Sequence, residues 1–96
     1  MYLVVSNWEP LPGKEDAFRE IGTQVRHALA ALPGVVMIEG FKSDSGKYIA
    51  VHAYQDEDTY KAIVQDPNGP FTKALAKFEL ETTARWVSSE RGPSLP

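Results

Sequence analysis

The residues best suited to chemistry lie in one short stretch, Tyr48–Tyr54, which carries one of the two histidines of the chain and two of its four tyrosines. The imidazole of His52 titrates near neutral pH, so it could act as a base toward a phenolic hydroxyl. The stretch is rich in β-formers, and strand alternation puts Tyr48, His52 and Tyr54 on one face. In the alternative interpretation, His52 is a hydrogen-bonded structural residue or lies in a subunit interface. Alternation alone leaves open which face of the sheet borders a pocket.

The composition excludes several other kinds of site. The chain has no cysteine, which excludes disulfides, thiolate metal sites and cysteine nucleophiles. His27 and His52 stand 25 residues apart with no paired carboxylates, so the sequence contains no metal-ligand pattern. The acidic run from Asp56 to Asp58 is interpreted as the cap of a helix and not as a cation site.

The overall charge and the lack of a long apolar run limit the partners. A formal net charge of −3 argues against nucleic acid and anionic membrane, since both require clustered Lys and Arg. No apolar run reaches the roughly 18 residues of a membrane span, and Met1 leads directly into a strand pattern and not a signal peptide. A cytoplasmic location is therefore the default expectation.

The spacing of apolar residues and prolines predicts the element order β-α-β-β-α-β. The predicted strands cover residues 2–8, 35–42, 47–54 and 81–88, with helices after Lys14 and after Asp56. Pro67 and Pro70 interrupt the second helix, which resumes as far as Phe78. This order is that of a ferredoxin-like α+β domain, an antiparallel sheet with two helices on one face. The chain is expected to form a single domain over residues 1–88, followed by a C-terminal tail over residues 89–96.

The first three strands carry large apolar side chains on both faces. Helices on one side of the sheet cover only one of these faces, which leaves several hundred Å² of apolar surface on the other. A two-fold homodimer that pairs the two sheets is the simplest way to bury it.

Three local sequences point to a known family. Pro12-Gly13-Lys14-Glu15-Asp16-Ala17-Phe18 opens the first helix, and Leu32-Pro33-Gly34-Val35 closes it. The third strand ends in Tyr54, followed by an acidic stretch and then Tyr60. Over nearly its whole length the chain resembles the antibiotic biosynthesis monooxygenase family of dimeric α+β barrels. The resemblance implies two sheets paired in a barrel, and an enzyme that oxidises phenols or quinols with O2, without a metal or flavin.

The chain offers candidates for the groups that such a reaction needs. His52 could act as the base, Asn7 could orient a substrate oxygen, and Arg85 could stabilise an anion if its strand face turns toward the cavity. The substrate would be held by aromatic side chains, namely Trp8, Tyr48, Tyr54, Phe71 and Trp86. The alternative is that these aromatic residues belong to the core or the dimer interface, and that Asn7 bonds its own backbone where the first strand ends.

A second branch of the family degrades haem, and it requires an Asn on the first strand with a Trp and a His on the second helix. Asn7 matches, but Ile63 stands at the Trp position and Leu75 at the His position. Phe71 occupies a place where many relatives carry a histidine. The missing helix histidine argues against haem degradation.

Two functions are compatible with the sequence. The first is a homodimeric, cofactor-independent monooxygenase that oxidises an aromatic or quinol-type small molecule with O2. The second is a non-catalytic ligand-binding or accessory dimer of the same fold. The absent helix histidine, and Tyr54 in place of the family's usual third-strand Trp, favour the second.

Overall fold

The strands and helices follow one another in the predicted order. The computed structural model describes residues 1–96. The elements are β1 (Tyr2–Pro10), α1 (Glu15–Ala30), β2 (Val35–Lys42), β3 (Tyr48–Tyr54), α2 (Glu57–Tyr60), a π-helical turn (Lys61–Gln65), α3 (Pro70–Phe78), a 3₁₀ turn (Leu80–Thr82) and β4 (Ala84–Pro93). None of the helices has the length and apolar character needed to cross a membrane.

The four strands form one antiparallel sheet in the order β2-β3-β1-β4. Even-numbered residues of β1, including Val4, point to the face that the helices cover, called here the inner face. Val4 and Ile38 belong to one buried cluster with Phe18, Val25 and Leu29 of α1. This arrangement confirms the predicted ferredoxin-like fold.

The second helical segment is interrupted where the sequence predicts. Asp56 caps α2: its Oδ1 accepts from the backbone N–H and from the hydroxyl of Thr59, both at 2.8 Å. The π-helical turn then ends, and Pro70 occupies the first turn of α3. A Cβ on Gly69 would lie 2.7 Å from the Ala62 carbonyl oxygen, so only glycine lets α3 start this close to the preceding turn. The acidic run therefore caps the start of α2, as predicted.

The last strand is shifted from the prediction. Residues 81–83, predicted as the start of this strand, lie before it: 81 and 82 belong to the 3₁₀ turn, and β4 runs from Ala84 to Pro93, which pairs with Tyr2. Beyond the strand, the Ser94 N–H donates to the Met1 carbonyl at 2.8 Å. Residues 89–93, expected in the tail, are therefore part of the sheet. The physical reason is that the first half of β1 needs a partner strand on this side for its backbone N–H and C=O groups.

A bulge changes the alternation of β4. The pairing register shifts between Asn7 and Trp8, so that Ser88 pairs with Asn7 and Trp86 pairs with Trp8. Val87 is the extra residue. Trp86 and Ser89 consequently lie on the same face of the sheet although they are three residues apart.

The face of the sheet opposite the helices, called here the outer face, is apolar and exposed in the single chain. Four of its large side chains are between 36% and 52% exposed: Leu3, Val5, Met37 and Phe41. Ile49, Val51 and Ala53 of β3 share this face, because they pair with Asn7, Val5 and Leu3 of β1. The predicted two-sided apolar sheet is thus observed.

Candidate active site

A cavity of about 610 Å³ lies between the inner face of the sheet and the helices. Its roof is largely apolar and comes from α1, the π-helical turn and α3: Phe18, Val25, Leu29, Val64, Phe71 and Leu75. A volume of this size is in the range of sites that hold small organic molecules.

The floor of the cavity is made of three rows of side chains that run across the strands. In the order β2, β3, β1, β4, these rows are Ile38–His52–Val4–Arg91, Gly40–Ala50–Ser6–Ser89 and Lys42–Tyr48–Trp8–Trp86. The middle one, called here the small-residue row, has no side chain larger than serine. Because strands are spaced about 4.8 Å apart, this row forms a trough about 14 Å long across the sheet. The row Lys42–Tyr48–Trp8–Trp86, called here the aromatic row, closes one side of the trough. The row that contains His52 closes the other side.

His52 is the only histidine that borders the cavity, and it is held by Tyr54. Its Nδ1 lies 2.8 Å from the hydroxyl oxygen of Tyr54, whose side chain is fully buried. The Nε2 atom has no hydrogen-bond partner in the protein and is not sealed off from solvent, and His52 lines the cavity. Burial, with a smaller effect from the charge of Arg26, lowers the pKa of His52 to about 4. The imidazole is therefore neutral at pH 7.

A pair of hydroxyls stands at the far end of the trough. The Ser6 and Ser89 hydroxyl oxygens lie 2.6 Å apart, and the indole N–H of Trp86 donates to Ser89 at 2.8 Å. This contact requires the bulge in β4, which brings Trp86 and Ser89 to the same face. The pair gives the cavity a hydrogen-bonding group at the β1–β4 side.

An arginine lies at the near end of the trough, beside β2. The Arg26 guanidinium bonds the Thr23 hydroxyl at 3.1 Å and occupies the space left free by Gly22 and Gly40. A Cβ on Gly40 would be 2.9 Å from Arg26 Nη1, and one on Gly22 would be 3.3 Å from it. Arg26 takes part in none of the three ion pairs of the chain.

The rim beside the aromatic row is tied together by Glu15. Its Oε1 accepts from the Tyr48 hydroxyl and from Lys42 Nζ, the latter at 2.9 Å. These bonds, from Tyr48 first and then Lys42, lower the pKa of Glu15. They connect β3 and β2 to the first turn of α1. No group of three or more His, Cys, Asp or Glu side chains is arranged to hold a metal ion.

The structure brings together five of the eight residues singled out from the sequence. The five that line the cavity are Trp8, Tyr48, His52, Phe71 and Trp86. Tyr54 lies behind His52 and does not line the cavity. Asn7 lies on the outer face, where its Nδ2 donates to the Ser88 hydroxyl at 3.3 Å. Arg85 pairs with Glu9 at 2.9 Å, outside the cavity. An odd position on β1 cannot share a face with His52, which explains the separation of Asn7.

The sequence did not single out three residues that shape the site, namely Arg26, Ser6 and Ser89. Arg26 is half-buried at the cavity. The available signal was glycine inside regular elements, Gly22 in a helix and Gly40 in a strand, because such glycines mark close approach of another group.

Comparisons with known proteins agree with this fold. The profile of the family described as antibiotic biosynthesis monooxygenase matches residues 1–68. No protein of curated function matches the sequence. Among solved structures, SnoaB from Streptomyces nogalater, described as a cofactor-independent oxygenase, superposes with a TM-score of 0.78 at 14% identity, covering 99% of this chain and 93% of that one.

Two further structures are similar over nearly the full length. Rv0793 from Mycobacterium tuberculosis gives a TM-score of 0.77 at 16% identity, covering 99% of this chain and 95% of that chain. NE2512 from Nitrosomonas europaea, a protein of unknown function, gives 0.72 at 20% identity, with coverage of 99% and 93%. At these identities the structural likeness supports the fold, while the profile match spans most of the chain. The chain belongs to the antibiotic biosynthesis monooxygenase family.

Proposed function

We propose that this protein is a monooxygenase that oxidises a planar aromatic or quinol-type small molecule with O2 in the cavity between sheet and helices. The observation that carries the proposal is the buried His52, whose Nε2 is open to an aromatic-lined cavity while its Nδ1 is fixed by Tyr54. Trp8, Tyr48 and Phe71 provide faces against which a flat ring can stack.

The partner of Nδ1 decides which nitrogen of His52 carries the proton. The hydroxyl proton of Tyr54 is fully buried and has no acceptor other than His52 Nδ1. Leaving that proton unpaired would cost about 1–3 kcal/mol, so we assign Tyr54 as the donor. The neutral imidazole then carries its own proton on Nε2, directed at the cavity.

This assignment favours hydrogen-bond donation over proton abstraction as the role of His52. With a pKa of about 4, the imidazole would remove a proton from an ordinary phenol at a cost of about 8 kcal/mol. As a donor, Nε2–H stabilises the oxyanion of a substrate whose hydroxyl ionises by itself. Electron-rich anions of this kind are the species that react with O2.

The reaction balances without an external reductant. A hydroquinone plus O2 gives a hydroxyquinone plus water: one oxygen atom enters the ring and the other leaves as water. The substrate supplies all four electrons. In the proposal, the protein binds and orients the ring, donates a hydrogen bond to its oxyanion, and excludes water. That SnoaB is described as a cofactor-independent oxygenase supports this assignment by analogy.

Oxygen uptake with a panel of naphthalene and anthracene hydroquinones tests the proposal. Under labelled O2, the proposal expects one labelled oxygen atom in the product and the other in water. Ala50→Leu fills the small-residue row and tests whether turnover takes place in this cavity. It should reduce turnover at least tenfold, and an unchanged circular dichroism spectrum is the control for folding. Uptake that yields hydrogen peroxide and an unlabelled quinone would show simple autoxidation and contradict the proposal.

The competing function is a ligand-binding or accessory protein with the same cavity. It is favoured by one observation: Asn7, the second residue expected to act on the substrate, lies on the outer face and cannot reach His52. Tight binding of the hydroquinones without oxygen uptake would select this function.

We also propose that the active form is a homodimer joined through the outer faces of its sheets. The exposed apolar side chains of this face support the proposal. Leu3→Glu places a charge on central strand β1 between Ala53 and Gly92, where a partner sheet would remove it from water. The dimer dissociation constant should rise at least 100-fold in sedimentation equilibrium. Gln24→Glu, which adds the same charge on exposed α1, should leave it unchanged. An unaltered Leu3→Glu dimer would contradict this interface.

A further inference from the structure

We infer that Arg26 is a specificity-determining residue of the cavity: it pairs with a carboxylate carried by the aromatic ligand. The inference deepens the proposed function, since it names a required group on the ligand of the same site. It depends only on binding, so it can fail or hold independently of turnover.

Two glycines determine where the Arg26 guanidinium lies. Nη1 lies over Gly40, at the β2 end of the small-residue row. It also lies beside Gly22 of α1, so the guanidinium occupies the space that side chains at these two positions would fill. Side chains at either glycine would push Arg26 away. Two glycines inside regular elements, each costing about 1 kcal/mol relative to alanine in such positions, thus hold one arginine at the end of the trough.

The Arg26 guanidinium forms no ion pair within the chain. The carboxylates that form ion pairs do so with Lys42, Lys61 and Arg85, and none pairs with Arg26. The one hydrogen-bond partner of the Arg26 side chain is the neutral Thr23 hydroxyl. Two other arginines that border the cavity, Arg19 and Arg91, are also without an ion pair, whereas Glu81 is the single carboxylate among the lining residues. The cavity is therefore cationic in a protein of net charge −3. A half-buried guanidinium without a counter-ion attracts an anion from solution.

Only one of the two terminal nitrogens of Arg26 is hydrogen-bonded within the protein. Nη2 donates a hydrogen bond to the Thr23 hydroxyl, whereas Nη1 lies over Gly40 at the end of the trough. The planar fork of a guanidinium matches a carboxylate, which can accept two hydrogen bonds at once. A flat ring lying along Ala50 and Ser6 would have its acidic end at Arg26. Its opposite end would meet the Ser6–Ser89 hydroxyl pair, roughly 10 Å away at the usual strand spacing.

The test compares two fluorescent probes of equal shape, 1-hydroxy-2-naphthoate and its neutral amide, 1-hydroxy-2-naphthamide. Wild-type protein should bind the carboxylate at least tenfold more tightly than the amide. Arg26→Gln should abolish this ratio, and Arg26→Lys should keep part of it because a lysine retains charge but not the fork. Lys73→Gln removes one positive charge from the exposed side of α3 and should preserve the wild-type ratio.

A second variant keeps the charge and moves it. Gly40→Ala places a methyl group 2.9 Å from Nη1, which displaces the far end of a flexible side chain without disturbing the sheet. The ratio of carboxylate affinity to amide affinity should shrink severalfold, because the methyl group affects two probes of equal shape alike while the displaced guanidinium affects only the carboxylate. Equal binding of the two probes by wild-type protein, or a wild-type ratio in Arg26→Gln, would overturn the inference. Failure of both probes to bind would also overturn it, because the cavity has room for two fused rings. Carboxylate preference in a protein that consumes no oxygen would leave the inference standing and remove the proposed oxygenase activity.

Discussion

Replacing His52 by alanine should lower kcat/KM for an aromatic substrate about 100-fold or more, with most of the loss in kcat. The reason is that a fixed donor directed at a developing oxyanion contributes about 10²–10³ in rate, while ring stacking, which determines binding, is left in place. His52→Gln offers an amide N–H of similar reach and should recover part of the rate. Initial rates of oxygen uptake at several substrate concentrations separate the two kinetic constants.

Tyr54→Phe is the matched control for the tautomer. It removes only the hydroxyl that bonds Nδ1 and preserves the ring that fills the core beside Tyr60. The imidazole proton is then free to reside on either nitrogen, so kcat should fall about tenfold while KM changes little. Nitrogen chemical shifts of His52 should move from the single Nε2–H tautomer toward a mixture. A wild-type rate in His52→Ala would rule out any role for this residue in the chemical step.

Acid should destabilise the protein through His52. The pKa of the imidazole is about 4 in the folded chain and about 6.5 in the unfolded chain, so between these values the unfolded state binds more protons. The contribution is fully present above pH 6.5 and is lost as the pH falls toward 4. The linkage relation gives a loss of about 2 kcal/mol by pH 5 and about 3 kcal/mol by pH 4. Urea unfolding at a series of pH values measures it.

The comparison variant for the acid effect is His52→Gln, which is polar, of similar size and does not titrate. Its free energy of unfolding should be lower than that of the wild type at pH 7. The loss of this free energy between pH 7 and pH 5 should be about 2 kcal/mol smaller than in the wild type. Carboxylates such as Glu15 and Asp56, whose pKa values are lowered by their hydrogen bonds, titrate equally in both proteins and cancel in the difference. Parallel pH profiles for the two proteins would contradict the buried, neutral imidazole.

The fold was predictable because each element has a strong local signal. The apolar stripe of α1, the turn residues between β2 and β3, and the prolines that break the second helix each act within a few residues. The end of β4 was not predictable in this way. Its polar sequence from Ser89 to Pro93 is ordered by pairing with β1, which lies more than 80 residues earlier in the chain.

The candidate site was only half predictable, for a physical reason. Alternation correctly grouped Tyr48, His52 and Tyr54, but both faces of β3 are apolar, so the pattern carried no information about which face meets the helices. Only the packed structure separates Asn7 from His52 and brings Arg26 to the cavity. The bulge at Val87, on which the Trp86–Ser89 contact depends, had no sequence signal.

The alternation of β3 has a consequence for how this protein can vary. Tyr48, Ala50 and His52 border the cavity, Tyr54 lies behind His52 on the same face, and the odd-numbered residues of β3 belong to the outer face. Loss or gain of one residue inside the strand would exchange both sets at once, placing His52 outside and Val51 in the cavity. Substitutions can therefore tune ligand and partner independently, one position at a time. Length changes within β3 are forbidden, and variation in length is confined to the turns at its two ends.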